Sequence, residues 1–174
     1  MSMKQLSSLF VFNALFLTAN ANASLNWYVV NDSVMGGVSN SQVSQTATSL
    51  IFKGNVSLEN NGGFASIRTE LDTQGQNASA IALRVKGDGK TYQLRLRTSD
   101  YLDGPAYMHS FNTTKNEWMD IHFTQRDFTL TFRGRVLEQQ PTINFNDIKQ
   151  LGFLIAGKQE GEFKLEVSKI EFKS

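Results

Sequence analysis

A chain of 174 residues, 40% hydrophobic and 19% charged, can bury a full core and is too mixed in composition to be disordered or membrane-embedded. A formal net charge of +1, with both signs interspersed, gives no electrostatic reason to expect nucleic acid or an anionic membrane as partner. The lack of cysteine (Cys 0) excludes a thiol nucleophile, a Cys-based zinc site and a Cys-anchored lipoprotein.

In chain order, the first segment differs from the rest. Lys4 precedes a run from Leu9 to Leu17 that is apolar except for Asn13, and Ala21-Asn22-Ala23 follows with a small-x-small pattern. This is the layout of a secretory signal peptide, and the run is shorter than the roughly 20 residues a membrane span needs. Residues 1–23 are therefore expected to be a cleaved signal, and residues 24–174 a single mature domain. The protein is expected to be exported, periplasmic or secreted, with no membrane anchor after cleavage.

After residue 24 the apolar period is mostly two, the signature of strands. Leu50 to Phe52 and Val56 to Leu58 flank Gly54, and Phe64 to Thr69 follows the Gly62-Gly63 turn. Ala80 to Lys86 alternates apolar Ile81, Leu83 and Val85 with Arg84 and Lys86. Thr91 to Thr98 alternates Tyr92, Leu94 and Leu96 with Gln93, Arg95 and Arg97. The turn signal Gly87-Asp88-Gly89-Lys90 between them predicts an antiparallel hairpin. Tyr107 to Phe111, Glu117 to Phe123, Leu151 to Ala156 and Glu162 to Phe172 are further strands. One helical turn fits 146–150, and 134–144 reads as an extended loop. Strands recurring about every ten residues, with polar turns between, predict a sandwich or jelly roll.

Catalytic machinery is hard to find. The two histidines, His109 and His122, each stand in an alternating run, and both are expected to point outward from strands. Asp32, Asp88, Asp100, Asp103, Asp120 and Asp127 fall almost all in turns, where Asp is favoured for local hydrogen bonding. The glycines of Val34-Met35-Gly36-Gly37-Val38-Ser39 are not followed by a helix, so a phosphate cradle is rejected. No enzyme activity, cofactor or metal is expected.

One set of segments exceeds generic β architecture. Trp27-Tyr28-Val29-Val30-Asn31-Asp32-Ser33-Val34-Met35-Gly36-Gly37-Val38-Ser39 is followed by Phe52-Lys53-Gly54-Asn55 and Asn61-Gly62-Gly63-Phe64. Then come Val85 to Tyr92, Trp118, Phe128, Thr131-Phe132-Arg133-Gly134-Arg135, Ile148 to Phe153, Lys158-Gln159 and Gly161 to Glu166. In order and spacing these resemble the complex I intermediate-associated protein 30 family, over about Trp27 to Phe172. The resemblance implies an all-β, galactose-binding-domain-like jelly-roll β-sandwich of two antiparallel sheets. It also implies a non-enzymatic role, since the family includes a mitochondrial assembly factor for NADH:ubiquinone oxidoreductase. An exported protein would not meet the peripheral arm of that complex, so on this reading the resemblance transfers the fold further than the assembly role.

The paired glycines Gly36-Gly37 and Gly62-Gly63 suggest positive φ or close backbone approach. Trp27, Phe64, Tyr92, Trp118, Phe132 and Phe163 read as core or rim packing. The polar residues Asn31, Asp32, Ser39, Arg133, Lys158 and Gln159 form the candidate binding set. Either Asp32 pairs with Arg133 or Lys158 to tie loops to the sandwich, or all six line a polar concavity at one end of it. The expected partner is another protein, bound by a chaperone-like or assembly-type module in the cell envelope. A glycan is the second candidate, with Tyr101 and Tyr107 as a stacking surface. An enzyme is the third, if a histidine faces carboxylates across strands.

Overall fold

The computed structural model describes residues 25–71, 77–98 and 104–174. The expected leader lies outside them. Among the described residues, twelve strands follow in chain order: β1 (Tyr28–Val29), β2 (Asn40–Gln45), β3 (Leu50–Val56), β4 (Ala65–Glu70), β5 (Ala80–Lys86), β6 (Thr91–Arg97), β7 (Ala106–Asn112), β8 (Trp118–Thr124), β9 (Thr129–Phe132), β10 (Arg135–Val136), β11 (Gln150–Ile155) and β12 (Gly161–Lys173). They form a larger sheet ordered β1-β4-β11-β6-β7-β9-β10 and a smaller one ordered β2-β3-β12-β5-β8. Neighbouring strands pair antiparallel in both sheets, as the all-β jelly-roll reading expects.

The core lies between the sheets. Ile67, Leu94, Leu96 and Phe153 face it from the larger sheet; Leu50, Phe52, Ile81, Val85, Leu165 and Val167 face it from the smaller, all wholly buried. Each such side chain contributes about 1.5–3 kcal/mol by leaving water. Tyr92 reaches across to Phe163, ring centroids 6.5 Å apart, and Phe163 meets Phe52 at 4.8 Å.

The expected hairpin between β5 and β6 does not form. β5 pairs with β12 and β8, whereas β6 pairs with β11 and β7. The apolar faces of β5 and β6 confront each other across the core instead of lying side by side. The Gly87–Lys90 connection is held by Asp88, whose carboxylate accepts from Lys90 N (3.0 Å), the Tyr92 hydroxyl (3.0 Å) and, on β12, Lys164 N (2.9 Å).

Other boundaries shift for local reasons. β3 runs straight through Gly54, so the two runs expected beside it are one strand and its exit. Polar β2 pairs β3 along six positions. The stretch expected as a loop after residue 134 starts with β10, joined to β9 by a tight turn in which Arg133 (φ 48°) and Gly134 (φ 77°) are both left-handed. The expected helical turn is a 3-10 turn, Phe145–Asp147, capped by the Asn144 side chain accepting from Asn146 N at 3.1 Å.

Candidate functional site

The distinctive Asp-Ser-Val-Met-Gly-Gly-x-Ser segment leaves β1 as a 3-10 turn, Asp32–Met35, and ends at Gly36 with φ 90°. Its first residue is wholly buried. Asp32 accepts four hydrogen bonds: from Ser39 N (3.0 Å), the Ser39 hydroxyl (2.5 Å), Gly63 N (2.7 Å) and Phe64 N (3.2 Å). Burial pushes its carboxyl up, and the four donors together outweigh burial and hold it below the ordinary carboxylate value. Asn31 adds a second tie, its Oδ1 accepting from the Ser41 hydroxyl (2.8 Å) and Ser66 N (3.3 Å).

Both glycine pairs divide their duties in the same way. Gly36 and Gly63 take positive φ (90° and 127°), while Gly37 and Gly62 make room. A Cβ on Gly37 would stand 2.4 Å from Asp32 Cγ, and one on Gly62 2.5 Å from Asp32 Oδ2. Asn31, Asp32 and Ser39 are thus brought together, as a closed knot joining the entrances of β2 and β4. The expected pairing of Asp32 with Arg133 or Lys158 is corrected: among the described residues its partners are a hydroxyl and backbone N–H groups, which satisfy it locally.

The other three candidates are scattered. Gln159 is spent on structure: its Oε1 accepts from Thr91 N, and its Nε2 donates to Thr91 O and Ala156 O, each at 2.8 Å. Lys158 is exposed in the turn between β11 and β12, with φ 61°. Arg133 lies on the opposite side of the larger sheet from the Asp32 knot, its guanidinium 5.3 Å from the Phe132 ring centroid. The six do not form one polar concavity.

A concavity exists elsewhere, on the outer face of the larger sheet. Arg68 on β4, Gly152 on β11, Arg95 on β6 and Met108 on β7 are successive Cα partners, so they share that face in one row. Ser66, Leu154 and Gln93 form the next row. This floor underlies a cavity of about 560 Å³, walled on the β1 side by Val34 and Met35 and on the β9–β10 side by Phe132, Arg133 and Val136. Every residue of β11 is buried, including the three that face outward, Gln150, Gly152 and Leu154. Arg68 and Arg97 are buried at 8% and 4% exposure. Burial first, and then the Arg68 charge, push the Arg95 guanidinium down to about 10.

The expected catalytic alternatives fare poorly. His122 is exposed, as expected, but His109 is not turned outward. It pairs with core residue Leu94, packs against Phe123 (5.2 Å) and Phe128 (6.3 Å), and its Nδ1–H donates to the Asp127 carbonyl at 2.7 Å. Asp127's carboxylate is engaged with Thr124, whose N and hydroxyl donate at 2.6 and 2.9 Å. Tyr107 is corrected too: it faces the core, and its hydroxyl donates to Pro141 O at 3.0 Å, so it offers no stacking surface. Tyr101, Asp100 and Asp103 lie outside the described residues.

Reading the sequence did not single out Arg68 or Gly152, and noticed Arg95 only as part of a polar strand face. The available signal was a central strand alternating long polar residues with core residues, beside a strand whose outward positions include glycine.

Residues 16–167 match the family described as complex I intermediate-associated protein 30. A probable mitochondrial complex I intermediate-associated protein 30 of Caenorhabditis briggsae is 26% identical over 140 residues, covering 69% of this chain and 41% of the relative. Its Drosophila melanogaster counterpart is 28% identical over 120 residues, covering 60% and 40%. The matched region is thus about two fifths of the length of these curated relatives. Among solved structures, the family 11 carbohydrate-binding module of the cellulase Lic26A-Cel5E of Clostridium thermocellum superposes with a TM-score of 0.67 at 15% identity, covering 89% of this chain and 91% of that one. That likeness is one of fold, and it agrees with the galactose-binding-like jelly roll. The expectation of export is overturned: the curated relatives are named as mitochondrial proteins, not exported ones, and the family match begins inside the segment read as a leader.

Proposed function

The chain belongs to the complex I intermediate-associated protein 30 family, and from that premise we propose that it acts without chemistry, as a protein-binding module of assembly type working through the outer face of its larger sheet. The observation that carries this is the cavity of about 560 Å³ on that face. Val34, Met35 and Val136 stand at its rim with 68%, 64% and 59% exposure, although each is a large apolar side chain. Exposed apolar residues gathered around a concave, partly polar floor are a feature of binding surfaces.

The names of the relatives point the same way, toward proteins associated with a complex I intermediate. The objection that an exported chain cannot reach such a partner falls with the expectation of export. The enzymatic reading needs a histidine facing a carboxylate across strands, whereas the hydrogen bond that His109 makes runs to a backbone carbonyl, that of Asp127.

Affinity capture with cross-linking, from extract of the protein's own cells, tests the proposal. The full chain should recover a reproducible protein partner, and the double variant Val34→Asp, Met35→Asp should lose it while folding normally. Equal recovery by both, or nothing beyond background with the unaltered chain, would overturn it.

A further inference from the structure

The rim at Val34 and Met35 is built so that it cannot retreat. Both side chains stand on the 3-10 turn Asp32–Met35, which is fastened at its two ends. At its start Asp32 accepts four hydrogen bonds. Just past its end Gly36 turns left-handed, and Gly37 lies so close to the Asp32 carboxylate that a Cβ there would meet it. Two residues on, the Ser39 hydroxyl accepts from Ser57 N at 3.0 Å, which ties the loop to the exit of β3. A loop preorganised in this way holds its apolar side chains out in water instead of folding them back onto the sheet.

One of those side chains can be changed chemically. Met35 is 64% exposed, and its neighbours Ser33, Val34 and Gly36 are exposed as well. The other described methionines differ. Met108 and Met119 are half-buried, and Met119 Sδ accepts from Thr114 N at 3.3 Å. A thioether sulfur attacks the terminal oxygen of a hydroperoxide with its lone pair, and the O–O bond breaks. The oxygen stays on sulfur as a sulfoxide, and its proton passes to the departing oxygen, which leaves as water or an alcohol. The reaction turns a flexible apolar side chain into a polar one.

We propose that Met35 is a redox-controlled contact of this rim: a hydroperoxide converts it to the sulfoxide, and the sulfoxide releases the protein partner while the fold stands. This rests on the protein-binding reading and adds its regulation. A partner's apolar surface packed on the sulfoxide would strip its oxygen of the hydrogen bonds that water supplies. The event stays local because the donors to Asp32 are Ser39, Gly63 and Phe64, so the knot does not use the Met35 side chain.

Partial oxidation of the full chain with hydrogen peroxide tests this. Peptide mapping should find the sulfoxide at Met35 several-fold ahead of Met108 and Met119, with the melting curve unchanged. The partly oxidised chain is then mixed with extract of its own cells, and chain in complex is separated from free chain by size exclusion. Complexed chain should be depleted about tenfold in Met35 sulfoxide, whereas sulfoxides at the other methionines divide evenly between the two pools. Methionine sulfoxide reductases for both epimers should return the free chain to the complex. Even division of the Met35 sulfoxide, oxidation of Met108 or Met119 as fast as Met35, or unfolding on oxidation would overturn the proposal and leave the protein-binding reading in place. No complex with the untreated chain would overturn both.

Discussion

Asp32 is wholly buried and Arg95 half-buried, and among the described residues neither stands in an ion pair. They are nevertheless supported in opposite ways. Asp32 is surrounded by four donors supplied from its own loop and the entrance to β4, and the two glycines beside it leave no space for anything else. Arg95 leans on one amide oxygen, carries an unspent buried Nε, and has a second cation next to it. A satisfied buried charge holds a fold together. An unsatisfied one weakens the fold, and its compensation comes from whatever binds there. The difference separates the structural part of the family motif from the face proposed to meet a partner.

Breaking the satisfied charge should have the largest effect. Asp32→Asn turns an acceptor into an amide whose NH2 must face the Ser39 hydroxyl or the Gly63 N–H, and should cost about 3 kcal/mol in urea unfolding. A loss of only a few tenths would mean that the knot is not structural.

Acid provides the next test. The fold holds the Asp32 carboxyl below its ordinary value of 3.8, so its contribution is complete above that value and is lost as pH falls through the lower folded-state value. Stability curves of the unaltered chain and of Asp32→Ala, followed from about pH 5 to about pH 2, should therefore draw together toward the acid end. Curves that stay parallel would show that the carboxylate's ionisation is not coupled to folding.

Arg95→Leu sharpens the contrast with a smaller effect that does not run toward destabilisation. It removes a poorly compensated charge beside Arg68, so stability should stay level or rise, by up to about 1 kcal/mol, while partner binding is lost. A large destabilisation would place Arg95 with Asp32 among the structural groups. Smallest of all is Arg84→Gln on the outer face of the smaller sheet. There Arg84 meets Asp120 at 2.6 Å with 44% and 57% of the two side chains exposed, and the change should stay within about 0.5 kcal/mol.

The strands could be read from the sequence wherever one face is buried and the other wet. Alternation in β5, β6 and β12 marks which residues enter the core. It does not mark which sheet a strand joins, so the pattern predicts a hairpin of β5 and β6 although the two strands face each other across the core. β2 escaped because its Ser and Gln residues lie on an edge strand paired on one side only, where little burial is imposed. Asn31, Asp32 and Ser39 stand out as candidates, together with Arg133, Lys158 and Gln159, because the segments that hold them are unusual. The partners of Asp32 do not, because three of its four donors are backbone N–H groups, which carry no residue identity. The cavity floor was out of reach for a different reason: Arg68, Gly152 and Arg95 are far apart in the chain and become neighbours only through the register of three strands.

The crossing at Gly87–Lys90 and the central place of β12 also bear on how the molecule forms. Among the described residues the smaller sheet is two pairs, β2-β3 and β5-β8, joined only through β12. Until β12 has been synthesised, those pairs have no neighbour to unite them, and the edges of β3 and β5 that it covers stay open to water. Most contacts then bridge long stretches of chain, a topology that folds slowly because loop closure precedes the reward of pairing. The nascent chain passes through a stage with hydrophobic sheet edges exposed, and a truncation before residue 161 should trap it there, prone to aggregate rather than merely less stable.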